Sequence, residues 1–208
     1  MALDLIAELE AIVDAFDRSG IEYALCGGLA LGLHGYPRAT MDIDLLLRAE
    51  RLADAIEVGR TVGFDIPSRK MVRSGTPREI QRISKLDPKT NDLMSLDLIL
   101  VGTALEDVWA GRTAFDVQGR RMIVVSRDGL ATMKRIAGRP QDLVDLAKLE
   151  GTTEDRVATF SRSLAGGTTY GQRASPFWRL ISCASESGNA SQPWVVPHTI
   201  SNAGIAFA

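Results

Sequence analysis

Asp42 and Asp44 stand two residues apart in the run Thr40-Met41-Asp42-Ile43-Asp44-Leu45-Leu46-Leu47. In an extended strand this spacing puts both carboxylates on one face with Leu46, and Ile43, Leu45 and Leu47 on the other. Adjacent ionised carboxylates repel each other and lose hydration when covered, so the pair implies either a bound cation or an exposed sheet edge. Upstream, Gly27-Gly28 follows the short apolar run ending at Cys26 and opens a helical segment. Backbone N–H groups at such a start can approach a phosphate with no Cβ in the way. A third acid, Asp97, is the only charge in Leu93-Met-Ser-Leu-Asp-Leu-Ile-Leu-Val101. Three carboxylates are hard oxygen ligands that suit Mg2+. Two such ions would stabilise the attacking and leaving oxygens of an in-line displacement at phosphorus. Asp92 competes with Asp97 for the third position, but it falls in a turn and is more simply solvated.

Other chemistries lack their residues. There is no G-x-x-x-x-G-K-[ST], no G-x-G-x-x-G after a strand and no H-E-x-x-H, and both histidines, His34 and His198, are isolated. Cys26 and Cys183 are far apart, which fits a reducing compartment and gives no thiolate metal site. A net charge of −2 argues against coating nucleic acid by bulk attraction. Locally, however, Arg69, Lys70, Arg73, Arg78, Arg82, Lys85 and Lys89 crowd the stretch before Asp97. Such a run is either a solvated face or a contact for a triphosphate or an RNA backbone.

These candidates need elements to hold them. Leu5, Ile6, Leu9, Ile12, Val13 and Phe16 recur at helical spacing and Gly20 follows, predicting an amphipathic helix over residues 3–18. Asp4, Glu8, Glu10 and Asp14 interrupt its apolar residues, which argues against a signal peptide or spanning helix there and makes the cytosol the expected location. A strand over 21–26, a helix over 27–35, the Asp42 strand and a helix over 49–62 follow. Ile80–Leu86 and Leu93–Val101 flank the turn Asp-Pro-Lys-Thr-Asn-Asp as a hairpin. One or two helical turns over 105–111 precede a second hairpin, 114–117 with 121–125. Ser126 caps a helix to about Ala137, and Pro140 suits the first turn of another ending near Leu149. From Gly166 serine and glycine are frequent and charge is sparse, and the composition permits either a mobile tail or a docking appendage carrying Phe177, Trp178 and Trp194.

Gly-Gly at a helix start, Asp-x-Asp and a distant strand Asp together resemble the polymerase-β-like nucleotidyltransferase superfamily. Arg38-Ala-Thr40 and Lys134-Arg-Ile-Ala-Gly-Arg-Pro-Gln-Asp142 look like its branch of AbiEii-type toxins. The resemblance spans roughly residues 3–150. Cys26 before the glycines is a departure, because no hydroxyl at Gly28 helps hold phosphates as Ser does in some relatives. The resemblance implies an α/β (α+β) fold, a small mixed sheet flanked by helices with a C-terminal helical part. Together with the change of composition at Gly166, it divides the chain into a catalytic core (1–125), packed helices (126–165) and the tail (166–208). It implies transfer of a nucleoside monophosphate from a triphosphate, with two Mg2+, to an acceptor hydroxyl on RNA, such as a tRNA, or on protein. Asp42, Asp44 and Asp97 would be the catalytic and metal-holding acids. Gly27, Gly28, Arg38, Thr40, Lys134 and Asp142 would bind the nucleotide, with Asp142 and Asp145 orienting Lys134 or Arg139 or merely suiting a first helical turn. The role implied is a toxin with a cognate antitoxin partner and no membrane. A transferase of antitoxin type that adenylylates a toxin, and a non-catalytic nucleotide-binding or partner-binding module of the same fold, are the alternatives.

Overall fold

The structure, a computed structural model, describes residues 3–68, 71–72, 79–117 and 119–151. The Ser/Gly-rich tail and Arg69, Lys70, Arg73 and Arg78 of the basic run lie outside these residues. The helices are α1 Leu5–Arg18, α2 Gly27–Leu33, α3 Leu52–Thr61, α4 Glu106–Ala110, α5 Arg127–Ala137 and α6 Pro140–Glu150. The strands are β1 Ala24–Leu25, β2 Asp42–Arg48, β3 Ile66–Pro67, β4 Met71–Val72, β5 Glu79–Leu86, β6 Leu93–Val101, β7 Thr113–Val117 and β8 Arg120–Val124. They form one mixed sheet in the order β3-β5-β6-β2-β1-β8-β7, with β4 also on β5. The expected α/β architecture with a small mixed sheet is therefore observed. Among the described residues no helix is long and apolar enough to cross a membrane.

The central pair is β2 and β6, parallel along their whole contact with Asp44 opposite Asp97. Ile43, Leu45, Leu47, Leu96, Leu98 and Leu100 are buried, so alternation on two neighbouring strands makes one continuous apolar face. β5 pairs antiparallel with β6 from Leu86–Leu93 inward, which sets Arg82 opposite Asp97. Asn91 takes the left-handed conformation in the connecting turn (φ 61°), which Asn tolerates better than most residues with a side chain.

Local chemistry fixes the helix ends. The Asp4 carboxylate accepts from the Ile6 and Ala7 amides at the start of α1, and Ser126 Oγ accepts from Gly129 N at the start of α5. α5 stops at Gly138, whose φ of 60° suits glycine, and Pro140 opens α6 where no amide donor is needed. Three sequence expectations need correction. The 21–26 strand is paired only at Ala24–Leu25, α2 ends at Leu33, and the 49–62 helix begins as a 3-10 turn over Ala49–Arg51. β3 and β4 were not foreseen, because two-residue strands carry no alternation to read.

Candidate active site

The sheet brings Asp42, Asp44 and Asp97 onto one face. Asp42 and Asp44 alternate past Ile43, and the parallel register lays Asp97 beside Asp44. Their exposures differ: the Asp42 side chain is 46% exposed and that of Asp97 9%. Burial, then the neighbouring Asp97 and Asp42 charges, push the Asp44 carboxyl up to about 6, while the Lys134 and Arg139 charges pull the other way.

Gly27 meets this acid directly. Its φ is 66°, and a Cβ built on it would overlap the Asp44 carboxylate outright. Only glycine lets the chain turn into α2 while the carboxylate lies against it. Cys26 anchors the same corner: its amide donates to Asp44 O at 2.9 Å and its thiol to the same oxygen at 3.3 Å. A Cβ on Gly28 would come within 2.8 Å of Thr40 Cβ and Oγ1, so Thr40 is seated on the second glycine.

Behind the acids lies a second, buried charge cluster. Lys134 Nζ donates to Asp145 Oδ2 at 2.6 Å and to Asp142 Oδ1 at 3.2 Å, with both carboxylates fully covered. Arg139 Nε donates to Asp142 Oδ2 at 2.7 Å, Arg38 Nε to Asp145 Oδ2 at 3.2 Å and Gln141 Nε2 to Asp145 Oδ1 at 3.1 Å. Burial raises Asp142 and Asp145, but the hydrogen bonds and positive charges around each outweigh it and hold both below the usual carboxylate range. Lys134 is thus neither a solvent-facing lysine nor one with a bare ammonium. It is a buried counter-ion, and the outer members Arg38 and Arg139 keep 24% and 53% of their side chains exposed.

The loop carrying Arg38 and Thr40 is fastened along its length. His34 Nε2 lies 2.8 Å from Val125 O, and the ring meets Phe115 edge-on. Arg127 Nη2 donates to Tyr36 Oη at 3.0 Å and to Leu149 O at 2.6 Å, tying loop and α6 together. His34 is therefore a structural residue, its basicity lowered by burial.

The basic run does not act as one unit. Lys85 donates to Glu8 Oε2 at 2.7 Å and Val62 O at 3.0 Å, fastening β5 to α1 and the end of α3. Lys89 is exposed in the hairpin turn. Arg82 is in the site: Nε to Asp97 Oδ1 is 2.6 Å, Nη2 to Asp97 Oδ2 is 2.8 Å, and Nη2 is 3.9 Å from Asp42 Oδ2. These bonds to Asp97 raise the already strong base further. Sequence reasoning missed Arg82 as an individual, although counting rungs outward from the Leu86–Leu93 pair places it opposite Asp97.

Among the described residues no three His, Cys, Asp or Glu side chains are gathered closely enough to hold a metal ion as they are placed. The acid face nevertheless fits a hard cation. All three acids are carboxylates, they share one face, and the Arg82 guanidinium already stands there as a positive charge.

No family model matches the chain, and no curated protein matches it. Solved structures resemble it in chain path. The lincomycin-bound lincosamide antibiotic adenylyltransferase LnuA is 17% identical, covering 71% of this chain and 97% of its own, with a TM-score of 0.48. A putative nucleotidyltransferase from Thermotoga maritima is 18% identical over 69% of this chain and 90% of its own, with a TM-score of 0.47. The antibiotic-resistance factor ANT(2'')-Ia is 16% identical over 79% of this chain and 96% of its own, with a TM-score of 0.49. The likeness is one of chain path at low identity, and what the site can do is decided by its own residues.

Proposed function

We propose that the chain is a divalent-cation-dependent nucleotidyltransferase that moves a nucleoside monophosphate from a triphosphate to an acceptor hydroxyl. The observation that carries this reading is the in-register placement of Asp44 beside Asp97, with Asp42 on the same face and the Gly27 backbone against Asp44. Asp42, Asp44 and Asp97 would hold Mg2+. Bound there, two ions would neutralise charge developing on the attacking and leaving oxygens. Asp97 would also accept the acceptor's hydroxyl proton as that oxygen bonds to the α-phosphorus. The bond from the α-phosphorus to its bridging oxygen breaks, and pyrophosphate leaves.

The Gly27 and Gly28 amides, with no side chain of their own, would contact the phosphates. Arg38 and Arg139 have exposed surface left for them, whereas Lys134 and Asp142, buried and mutually paired, would hold these arginines in place. Thr40, seated on Gly28, would fix the loop that delivers Arg38. For the acceptor we propose an RNA end, such as that of a tRNA, or a protein side chain, and for the biological role a toxin with a separately encoded antitoxin, in the cytoplasm. This finer part is supported by the motif resemblance alone.

Purified protein incubated with each α-labelled triphosphate and Mg2+, alone and with total tRNA or cellular protein, tests the reading. Label in RNA or in protein is the expected outcome and identifies the acceptor. Label bound but unchanged under every condition would make the chain a binding module, and no binding at all would remove nucleotide from the account.

A further inference from the structure

The acid face holds a cation of the chain's own. Arg82 lies opposite Asp97 in the β5–β6 register and engages both of its oxygens, at 2.6 and 2.8 Å, with one nitrogen leaning toward Asp42 at 3.9 Å. A two-pronged guanidinium clamp of this kind takes the oxygen directions that a metal would need. Mg2+ binds carboxylate oxygen at about 2.0–2.1 Å with near-octahedral demands, so it must compete with the clamp for the charge and the in-plane lone pairs of Asp97. The two sides differ in freedom. Asp97 is nearly covered and fixed on the central strand, whereas a third of the Arg82 side chain faces solvent and can swing outward without opening a hole in the core.

Charge points the same way. With Arg82 in place the three acids present less negative charge to an incoming ion, and one of them is occupied. No other described residue of the basic run competes for the position, because Lys85 is tied to Glu8 and Val62 O on α1 and the end of α3, and Lys89 sits in the turn. We propose that Arg82 is a positioning residue that neutralises and holds Asp97 until a divalent cation displaces it, and so sets the cation concentration at which the third carboxylate joins Asp42 and Asp44. This rests on the metal-dependent reading above.

The test is Mn2+ binding to the full-length chain by calorimetry without nucleotide, together with thermal melts in EDTA and in Mn2+. Arg82→Gln should bind Mn2+ at least about tenfold more tightly than the parent, because a charge-assisted clamp no longer opposes it. The Arg82→Gln melt should fall in EDTA and recover in Mn2+ by more than the parent's. Arg82→Lys should lie between the two, since a single point charge cannot grip both oxygens. Equal or weaker Mn2+ affinity in Arg82→Gln overturns the proposal. If Arg82→Gln does not fold, Arg82→Lys decides alone: a several-fold gain supports the proposal and no gain overturns it. Equal Mn2+ binding by the parent and by Asp42→Asn/Asp44→Asn would instead overturn the metal-dependent reading itself.

Discussion

Asp44 costs the fold stability that its neighbours do not return. Its carboxyl titrates near 6 when folded, for reasons of burial first and of Asp97 and Asp42 second, against an ordinary value near 3.8. A raised acid binds its proton more tightly in the folded state, so stability falls as pH rises from about 4 to about 6 and stays lowered above that. With part of the side chain at the surface, the loss is on the order of 2 kcal/mol at neutral pH. Asp44→Asn should therefore melt higher than the parent at pH 7.5 in EDTA, match it near pH 4, and lack transferase activity throughout. A parental melt that does not change between pH 4 and 7.5 would remove the strain argument. Gly27→Ala is the complementary test. The positive φ costs about 1 kcal/mol for a residue with a Cβ. The overlap with Asp44 must in addition push the carboxylate away, so activity should disappear with a modest loss in melting temperature. Near-parental turnover in Gly27→Ala would mean that Asp44 is free to move and is not gripped by the backbone.

At the scale of elements, the α5–α6 hairpin is held by charge as well as by apolar contact. Lys134 hangs from α5 between Asp142 and Asp145 on α6, and Arg38 reaches in from the loop before β2. Removing one partner of a buried pair leaves charge uncompensated and costs about 3–5 kcal/mol. Lys134→Met should thus lower stability by about that much in a urea titration, far more than a surface lysine would. Lys134→Met/Asp145→Asn should recover part of the loss. A Lys134→Met loss below about 0.5 kcal/mol would place the ammonium at the surface.

The sequence made the hairpin of helices legible through Ser126 and Pro140, each of which acts locally on its own backbone. It left the depth of Lys134 unreadable, because burial depends on α6 returning over α5, and helical spacing alone does not report that. The acids were legible for the same local reason, alternation along a strand. Arg82 was obscured among seven basic residues until the hairpin register was counted, and β3 and β4 were too short to leave a pattern.

At the scale of the whole molecule, two neighbouring clusters among the described residues carry opposed net charge and so set up two opposed fields, the three acids outweighing Arg82 in one and Lys134, Arg38 and Arg139 outweighing Asp142 and Asp145 in the other. The acids gather at β2 and β6, and the cations of the buried cluster stand behind them, close enough for Lys134 and Arg139 to act on Asp44. A cation alone meets the first field and an isolated triphosphate only the second, so the pair should bind together better than either does separately. Ligands that bind only the folded state stabilise it by RT ln(1 + [L]/Kd), about 2.7 kcal/mol at a hundred times Kd. For a folded unit of this size each kcal/mol raises the melting temperature by roughly 2–4 °C. Mg2+ with a non-hydrolysable nucleoside triphosphate should therefore raise the melt by several degrees and by more than the sum of the two separate shifts. It should also flatten the fall in stability between pH 4 and 6, because a cation beside Asp44 favours its ionised form. Purely additive shifts would mean that the two fields act on different ligands, and that the acid face and the Lys134 cluster do not form one site.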